Sequence, residues 1–477
     1  MGADNDSTKL PASQVVWWRK LGAWVPGLRL VRHYPLHWLK DDVVAGIVLV
    51  TILVPVGIAY SVAAGLPPVY GLYATIIPLF AYALFGPSRI MVLGPDSALA
   101  AVIFAVVVPL SAGSADKAVA LAGVMAIAAG LTCLLAGFAR LGFITDLLSK
   151  PIRYGYMNGI AVVVIVSQLP LLFGFRVNGG GTPAKALEFF QALANGQTHF
   201  WSLLIGALSL ALILLLRHQR HISGILLAVV VATLYVGWQT LDKQGVAVLG
   251  SLPQGFPAFS FPLIPISDLL QVAVGGAVAA LLAVSETSVL SRAYATKTGD
   301  RVSPNKEMVG LGMANLATGF FQGFPVSSSA SRTPVAYLAG ARTQLANVVG
   351  ACLVLVLLIY TPDLLRYLPD TVLAAVVIAS MIGLTEVRSV WRIYKMRPAE
   401  FWLSLGCSAG IVVLGPIQGI GLAVLAALVS FLWESWRPYS AVLAREDNLK
   451  GYHDITRYPH ARRIPGLVLF RWDAPLF

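Results

Sequence analysis

The chain has 477 residues, of which 57% are hydrophobic and 12% are charged, and the charged share is about half that of an ordinary soluble domain. This composition excludes a soluble globular enzyme, a disordered protein and a disulfide-stapled secreted domain, because so much apolar surface needs lipid as its solvent. The 34 Lys and Arg residues outnumber the 22 Asp and Glu residues and give a net charge of +12, so the positions of the cations must decide whether nucleic acid or membrane is the partner.

The first 40 residues carry tryptophans and cations but no continuous apolar core. Trp17 and Trp18 are followed directly by Arg19 and Lys20, which is unlike a cleavable signal peptide. We interpret residues 1–40 as an amphipathic cytoplasmic segment that lies near the membrane surface.

Fourteen apolar runs of spanning or near-spanning length follow, and they are predicted to be helical because lipid cannot satisfy an exposed backbone. A loop rich in Pro and Gly divides them into two groups of seven. The runs are residues 43–64, 69–85, 95–109, 118–138, 154–173, 200–216, 222–240, 268–291, 308–321, 327–340, 343–361, 371–387, 399–414 and 417–436. The membrane domain is therefore predicted to cover residues 41–436, with two repeats at about 41–240 and 268–436.

The cations of the connecting loops test this count. With the N-terminus inside, the internal loops carry 15 Lys and Arg residues and the external loops carry five, which is the positive-inside pattern of a multi-pass membrane protein. This pattern explains the net charge without nucleic acid as a partner. It predicts cytoplasmic N- and C-termini and a plasma-membrane location, with the bacterial inner membrane favoured.

The two halves resemble each other weakly but in matching order. Thr145-Asp146-Leu147-Leu148 precedes the fifth run and Pro362-Asp363-Leu364-Leu365 precedes the twelfth, while Phe200-Trp201 opens the sixth and Phe401-Trp402 opens the thirteenth. An odd number of spans in each repeat places the two copies in opposite orientations. Such inverted repeats are typical of secondary transporters.

The third and tenth runs occupy corresponding places in the two halves, and Pro and Gly interrupt both. Residues 90–93 are predicted to be extended, and a helix is predicted to start at Asp96-Ser97; the tenth run starts within residues 326–332. Helices that start at mid-membrane present free N–H groups and a partial positive charge, which suit an anion. The tenth run adds hydroxyl donors from Ser327, Ser328, Ser329 and Ser331.

Three ionisable residues accompany these breaks. Arg332 supplies a full positive charge within an apolar run; its role is either to face the anion or to pair with a carboxylate that joins two helices. Glu286 lies deep in the eighth run and is predicted to bind a proton or a cation. Asp96 is either a helix cap or a coupling-ion site. We found no metal, nucleophile or nucleotide motif.

Several short motifs occur together between about residues 38 and 436. They are Asp41-Asp42-Val43-Val44-Ala45-Gly46, Val54-Pro55-Val56-Gly57-Ile58-Ala59-Tyr60, Leu66-Pro67-Pro68-Val69-Tyr70-Gly71-Leu72-Tyr73, Gly86-Pro87-Ser88-Arg89 followed by Gly94-Pro95, the region of Glu286, and Ser331-Arg332. With these motifs the chain resembles the SulP family, the sulfate permease and anion exchanger family.

The resemblance implies an all-α fold of fourteen segments in two inverted repeats of the UraA-like type, with broken helices at segments three and ten. Segments one to four and eight to eleven would form a core domain and the others a gate domain, which would work as an elevator. The anion would contact Tyr60, Ala330, Ser331 and Arg332, with Glu286 nearby. Val56 stands where many relatives carry Gln, and Asp96 where a small residue is common; both departures favour cation coupling over sulfate specificity.

The tail also resembles the family. Residues 464–477 look like the opening strand of a cytoplasmic STAS domain, so residues 437–477 are predicted to be a linker and an incomplete STAS domain, in a family whose members form homodimers. The strand-like end of the tail shows no partner strand in the sequence, and we expect this tail to contribute little to transport.

We therefore predict a secondary transporter of a small inorganic or organic anion of the sulfate, bicarbonate or dicarboxylate class, coupled to H⁺ or Na⁺ and without a cofactor. The substrate-binding set is Tyr60, Val56, Ser97, Ser329, Ala330, Ser331 and Arg332, and the ion-coupling set is Glu286 and Asp96. An uncoupled exchanger or an anion channel is the alternative. A nucleobase–cation symporter is less favoured, because a neutral base gains little from a buried Arg. An enzyme is the least favoured function.

Overall fold

The computed structural model describes most of the predicted membrane domain and part of the tail. The described residues are 25–32, 34–143, 150–177, 181–217, 219, 224–300, 302–416, 440–446 and 449–472, with residues 418, 419, 421, 422, 425, 426 and 429. Each of the first thirteen predicted spans contains a helix. The fourteenth span, residues 417–436, lies largely outside the described residues, as does most of the predicted N-terminal segment 1–40.

The helices are numbered here in chain order. In the first half they are α1 (Pro26–Arg32), α2 (Leu39–Ala63), α3 (Pro68–Phe85), α4 (Ser97–Ser111), α5 (Ala115–Phe138), α6 (Lys150–Leu172), α7 (Thr182–Ala194), α8 (Phe200–Leu216) and α9 (Gly224–Gln239). In the second half they are α10 (Ile266–Thr298), α11 (Pro304–Phe320), α12 (Arg332–Leu338), α13 (Leu345–Tyr360), α14 (Asp370–Leu384), α15 (Val387–Met396) and α16 (Pro398–Leu414). Short 3₁₀ turns lie at Leu36–Trp38, Leu141–Phe143, Leu241–Gln244 and Pro362–Leu365.

Two helices were not predicted as separate elements. Helix α7 lies between the fifth and sixth spans, and the strongly amphipathic α15 lies between the twelfth and thirteenth. Neither contains a run of about 20 apolar residues, which is why a count of spans passes over them. Among the described residues, six helical segments of 18 residues or more are apolar enough to cross a membrane; one of them, Asp370–Met396, is α14 continued by α15, and five shorter apolar helices accompany them.

Helix packing follows the two-fold relation between the repeats. Helix α2 packs on α13, and its counterpart α10 packs on α5; helix α6 packs on α16, and α14 packs on α8. Small residues let the backbones touch: a Cβ on Gly130 of α5 would lie 2.8 Å from the carbonyl oxygen of Gly312 in α11. The architecture confirms the predicted all-α membrane fold of two inverted repeats.

The third and tenth segments are broken, as predicted. Strand β1 (Leu93–Gly94) precedes α4, and strand β2 (Ser327–Ser328) precedes α12. The two strands pair antiparallel, with Leu93 opposite Ser328 and Gly94 opposite Ser327. The helix of the tenth segment starts at Arg332, the last residue of the predicted range 326–332, and has only seven residues; strand β2 before it was not predicted.

Residues 423–477 form a separate compact unit. Its described part is a three-stranded antiparallel sheet in the order β4 (Tyr452–Asp454), β3 (Ser440–Arg445), β5 (Leu469–Trp472). The expectation of a strand-like end without a partner was therefore wrong. Val442 of β3 lies opposite Phe470 of β5, so one edge of β5 is paired with β3 of the same chain.

Candidate functional site between the two broken helices

The pair of strands β1 and β2 is the centre of the candidate site. Beyond the pairing itself, the backbone N–H of Ser329 donates to the carbonyl oxygen of Val92 at 3.0 Å, and the N–H of Val92 donates to Oγ1 of Thr333 at 3.2 Å. The starts of α4 and α12 are thus joined by hydrogen bonds between residues more than 230 positions apart. This cross-link brings the two breaks of the inverted repeats to one place.

Side-chain amides hold the extended segments that lead into the pair. Asn315 of α11 donates through Nδ2 to the carbonyl oxygen of Val326 and accepts through Oδ1 from the N–H of Val326. Gln344 and Asn347 both donate to the carbonyl oxygen of Met91, at 3.0 and 2.7 Å. Buried backbone groups need such partners. These amides were missed in the sequence, although Asn and Gln inside apolar runs are a usable signal.

Arg332 lies behind the strand pair and is fully buried. Its Nη2 donates to the carbonyl oxygen of Pro95 at 2.7 Å, whereas Nε and Nη1 have no hydrogen-bond partner among the described residues. The Asp96 carboxylate attracts the guanidinium electrostatically. A buried guanidinium with two nitrogens that lack hydrogen-bond partners is costly. The site therefore contains a buried positive charge whose hydrogen-bonding capacity is only partly used.

The close approach of Arg332 requires a glycine at position 94. Gly94 has φ +151°, and a Cβ placed on it would lie 3.0 Å from Nη1 of Arg332. An L-residue would both strain the backbone and push the guanidinium away. Gly94 therefore leaves space for the Arg332 guanidinium, and the carbonyl oxygen of Pro95 accepts a hydrogen bond from it.

Asp96 caps helix α4. Its Oδ2 accepts from the N–H of Ala98 at 2.9 Å, so the structural role considered for Asp96 is present. The same residue lines a cavity, where a coupling role stays a prediction. Because this cap occupies one N–H and α12 has only seven residues, the field of the two helix starts is weaker than the sequence suggested. The full positive charges near the site are then Arg332, buried beside the strand pair, and Arg217, which lines the cavity.

A cavity of about 530 Å³ lies beside the strand pair, within the usual range for small-molecule sites. Five of the predicted residues line it: Tyr60, Asp96, Ser97, Ala330 and Ser331. Four further polar residues that were not predicted also line it: Thr51, Arg217, Gln219 and Ser380. Ala330 and Ser331 are exposed to this space.

Four predicted residues are not among those that line the cavity. Val56 is buried within α2, and Arg332 is behind the strands. The Ser329 side chain is buried and accepts from the N–H of Arg332 at 3.1 Å, which makes it a helix cap. Glu286 lies next to the pair, and Oγ of Ser327 donates to its Oε2 at 3.2 Å. The predicted residues thus form two layers, one facing the cavity and one supporting it.

Comparison with known proteins assigns the chain to a family. The profile of the sulfate permease family matches residues 39–406. The chain belongs to the sulfate permease family. A curated relative, a probable sulfate transporter of Mycobacterium tuberculosis, is 38% identical over 95% of this chain and 81% of its own length.

Solved structures share the fold of this chain. The murine Solute Carrier 26 family member A9, an anion transporter in an inward-facing state, aligns over 99% of this chain and 80% of its own, with 21% identity and a TM-score of 0.83. The transmembrane domain of the cyanobacterial bicarbonate transporter BicA aligns over 83% of this chain and 98% of its own, with 22% identity and a TM-score of 0.72.

The sequence analysis did not identify a second buried carboxylate of this chain. Glu307, at the start of α11, is 1% exposed and accepts hydrogen bonds from Tyr82 Oη at 2.5 Å and from Ser88 Oγ. It ties the end of α3 to the segment that leads into β1. Both donors are over 200 residues away in the chain, and Glu307 does not line either cavity described here.

A smaller cavity, of about 470 Å³, lies at the other end of α2. Val62 of α2, Leu66 in the turn that follows α2, and Lys185 of α7 line it. The Lys185 ammonium lies 4.0 Å from the centre of the Phe104 ring, and burial lowers the pKa of Lys185.

Proposed function

We propose that this member of the sulfate permease family is a secondary active transporter of a small anion, with sulfate as the first candidate, and that H⁺ or Na⁺ drives uptake. The observation that carries the proposal is the buried guanidinium of Arg332. It lies next to the Gly94 backbone, its Nε and Nη1 make no hydrogen bond to any described residue, and five hydroxyl side chains are among the residues that line the nearby cavity. Such a place favours an anion that brings compensating negative charge.

The anion in this proposal occupies the cavity between Tyr60 and Ser331. The Ser97 and Ser331 hydroxyls are donors on the two sides, and Arg332 acts through the thin strand pair rather than by direct contact. In a medium of low dielectric constant a charge one layer away still contributes. The curated relative named as a probable sulfate transporter supports sulfate as the first anion to test.

Glu286 is the proposed coupling residue. It lies on α10 next to β2 and accepts a hydrogen bond from Ser327. Its charge therefore acts electrostatically on the strand pair. An anion and a carboxylate close together repel each other, and a proton or a sodium ion bound at Glu286 relieves that repulsion. Asp96, which faces the cavity, is the second candidate. Binding of the anion and of the coupling ion would then favour each other.

Alternating access is proposed to follow the division into two helix groups. Helices α2–α5 and α10–α13 form the core, and α6–α9 with α14–α16 belong to the gate. The first cavity is bordered by Arg217, Gly224 and Leu384, at helix ends that the loop charges place in the cytoplasm. We infer that the first cavity opens toward the cytoplasm and that the second cavity lies on the external side of the transport path.

Uptake into liposomes tests this function. Purified protein is reconstituted, and ³⁵S-sulfate uptake is measured with no gradient, an inward proton gradient or an inward sodium gradient, with competition by bicarbonate, chloride and dicarboxylates. We expect one cation gradient to drive accumulation above equilibrium. Equilibration at the same rate under all gradients would favour the uncoupled exchanger or channel, and no uptake of any anion would contradict the proposal.

A further inference from the structure

Helix α15 (Val387–Met396) lies outside the site and joins two membrane spans by very short links. Residues 385–386 connect it to α14, and Arg397 alone connects it to α16. Because both neighbours are apolar membrane helices, so short a tether keeps α15 at the surface of the bilayer. Its surroundings are therefore lipid headgroups, the outer parts of the acyl chains and water.

The residues of α15 separate into an apolar face and a basic face. At about 100° per residue, Val387, Val390, Trp391 and Tyr394 fall within an arc of about 100°. The cations Arg388, Arg392 and Lys395 fall within a neighbouring arc of about 60°. Ile393, on a third side, is the one residue of this helix that is buried against the protein.

The apolar face is open in the described structure. Val387 is 67% exposed and Trp391 is 56% exposed. Trp391 stacks on Tyr394 with ring centroids 5.3 Å apart, and Tyr394 packs edge-on against Phe401. A rigid aromatic group at the end of two spans is typical of the membrane–water interface, where the rings lie among headgroups and upper acyl chains.

The basic face is free of acidic partners within the described part of the chain. Arg388, Arg392 and Lys395 make no ion pair there. The two nearest carboxylates in sequence are already engaged: Ser389 Oγ donates to Glu386 at 2.6 Å, and Arg397 pairs with Glu400 at 2.7 Å. Three exposed cations beside an apolar face are complementary to an anionic phospholipid surface.

We propose that α15 is a binding site for anionic phospholipid, in which Arg388, Arg392 and Lys395 bind headgroup phosphates while Trp391 and Tyr394 lie against the acyl chains. The bound lipid anchors the link between α14, which lines the anion cavity through Ser380, and α16. The site is separate from the anion cavity and does not depend on which anion the protein transports.

Lipid binding to the full chain in neutral detergent tests the proposal. Phosphatidylglycerol or phosphatidylcholine is titrated into delipidated protein, and bound lipid is counted by native mass spectrometry alongside the melting temperature. We expect phosphatidylglycerol to bind and to raise the melting temperature more than phosphatidylcholine does. The triple variant R388Q/R392Q/K395Q should lower the phosphatidylglycerol affinity more than tenfold, since each cation near an anionic surface contributes separately.

Two control variants make the test specific. R388K/R392K keeps the charges and should keep the affinity, whereas R176Q/K243Q/R366Q removes three exposed cations elsewhere and should leave it unchanged. Glycerol 3-phosphate at the same concentration should not displace the lipid. Equal phosphatidylglycerol affinity in the first triple variant and the wild type, equal binding of both lipids, or displacement by glycerol 3-phosphate would overturn the proposal.

Discussion

The guanidinium of Arg332 donates a 2.7 Å hydrogen bond to the carbonyl oxygen of Pro95. The first residue of α12 is thereby tied to the residue that precedes the cap of α4, across the boundary between the two repeats. The same contact leaves Nε and Nη1 without hydrogen-bond partners among the described residues. One side chain therefore both joins the two broken helices and supplies the positive charge next to the cavity.

Replacing Arg332 should weaken anion binding. We expect Arg332→Ala to lower sulfate affinity at least tenfold, or about 1.4 kcal/mol, because a charge near a desolvated anion contributes more than an ordinary hydrogen bond. The melting temperature should fall as well, since the bond to Pro95 is lost. Calorimetric titration measures the affinity. The matched control is Arg342→Ala, which removes an exposed Arg paired with Asp41 and should bind normally. A folded Arg332→Ala protein with unchanged affinity would leave Arg332 only its structural role.

Glu286→Gln should keep the protein folded and abolish concentrative uptake. The amide preserves the shape and the contact with Ser327 while it removes the titrating charge. Glu307→Gln is the matched control, because Glu307 is also buried but contacts Tyr82 and Ser88 instead of the strand pair, and we expect it to lower stability without removing coupling. Uptake driven uphill by a pH or sodium gradient in the Glu286→Gln protein would exclude Glu286 and make Asp96 the next candidate.

Gly94→Ala should disable the site through its backbone. The new Cβ would lie 3.0 Å from Nη1 of Arg332, and the positive φ adds strain of about 1–3 kcal/mol. We expect at least a tenfold loss of sulfate affinity. Gly113 also has a positive φ, but a Cβ there meets nothing within 4 Å. Gly113→Ala should therefore cost comparable stability and leave binding intact, and an equal binding defect in both variants would show that strain alone is responsible.

The tail should be dispensable when it is removed as a unit. Deletion of residues 437–477 should leave liposome transport within about threefold, a change below about 1 kcal/mol. Deletion of residues 451–477 alone removes both partners of β3 and exposes its edges, so this shorter deletion should aggregate more. Size-exclusion profiles and uptake rates measure both effects. A well-folded 437–477 deletion without transport would show that the tail controls the carrier.

Spans could be predicted because their signal is local. The sixth span was predicted at residues 200–216 and is Phe200–Leu216, since composition alone defines such a segment in lipid. The tenth span was predicted at residues 327–340, with a helix start within 326–332. The prediction did not include strand β2, in which Ser327 and Ser328 pair with Gly94 and Leu93. No local pattern encodes that partner, and the same holds for β3 and β5 of the tail.

The candidate site was predictable to the extent that charge inside an apolar run is a signal. Arg332, Glu286 and Asp96 could be found in this way. Their arrangement in two layers could not be found, because it depends on which face of the strand pair each side chain occupies. Ser380 of α14 was also missed, since a lone Ser in an apolar helix is common and only the tertiary structure places it at the cavity.

The most direct test of the central claim is a structure of the protein with selenate, a sulfate analogue whose selenium scatters anomalously. The account predicts a selenium peak in the cavity between the start of α4 and the start of α12, within hydrogen-bonding reach of Ser97 and Ser331, and no peak there in the Arg332→Ala protein. A saturable selenate site elsewhere, with this cavity empty at saturating selenate, would contradict it.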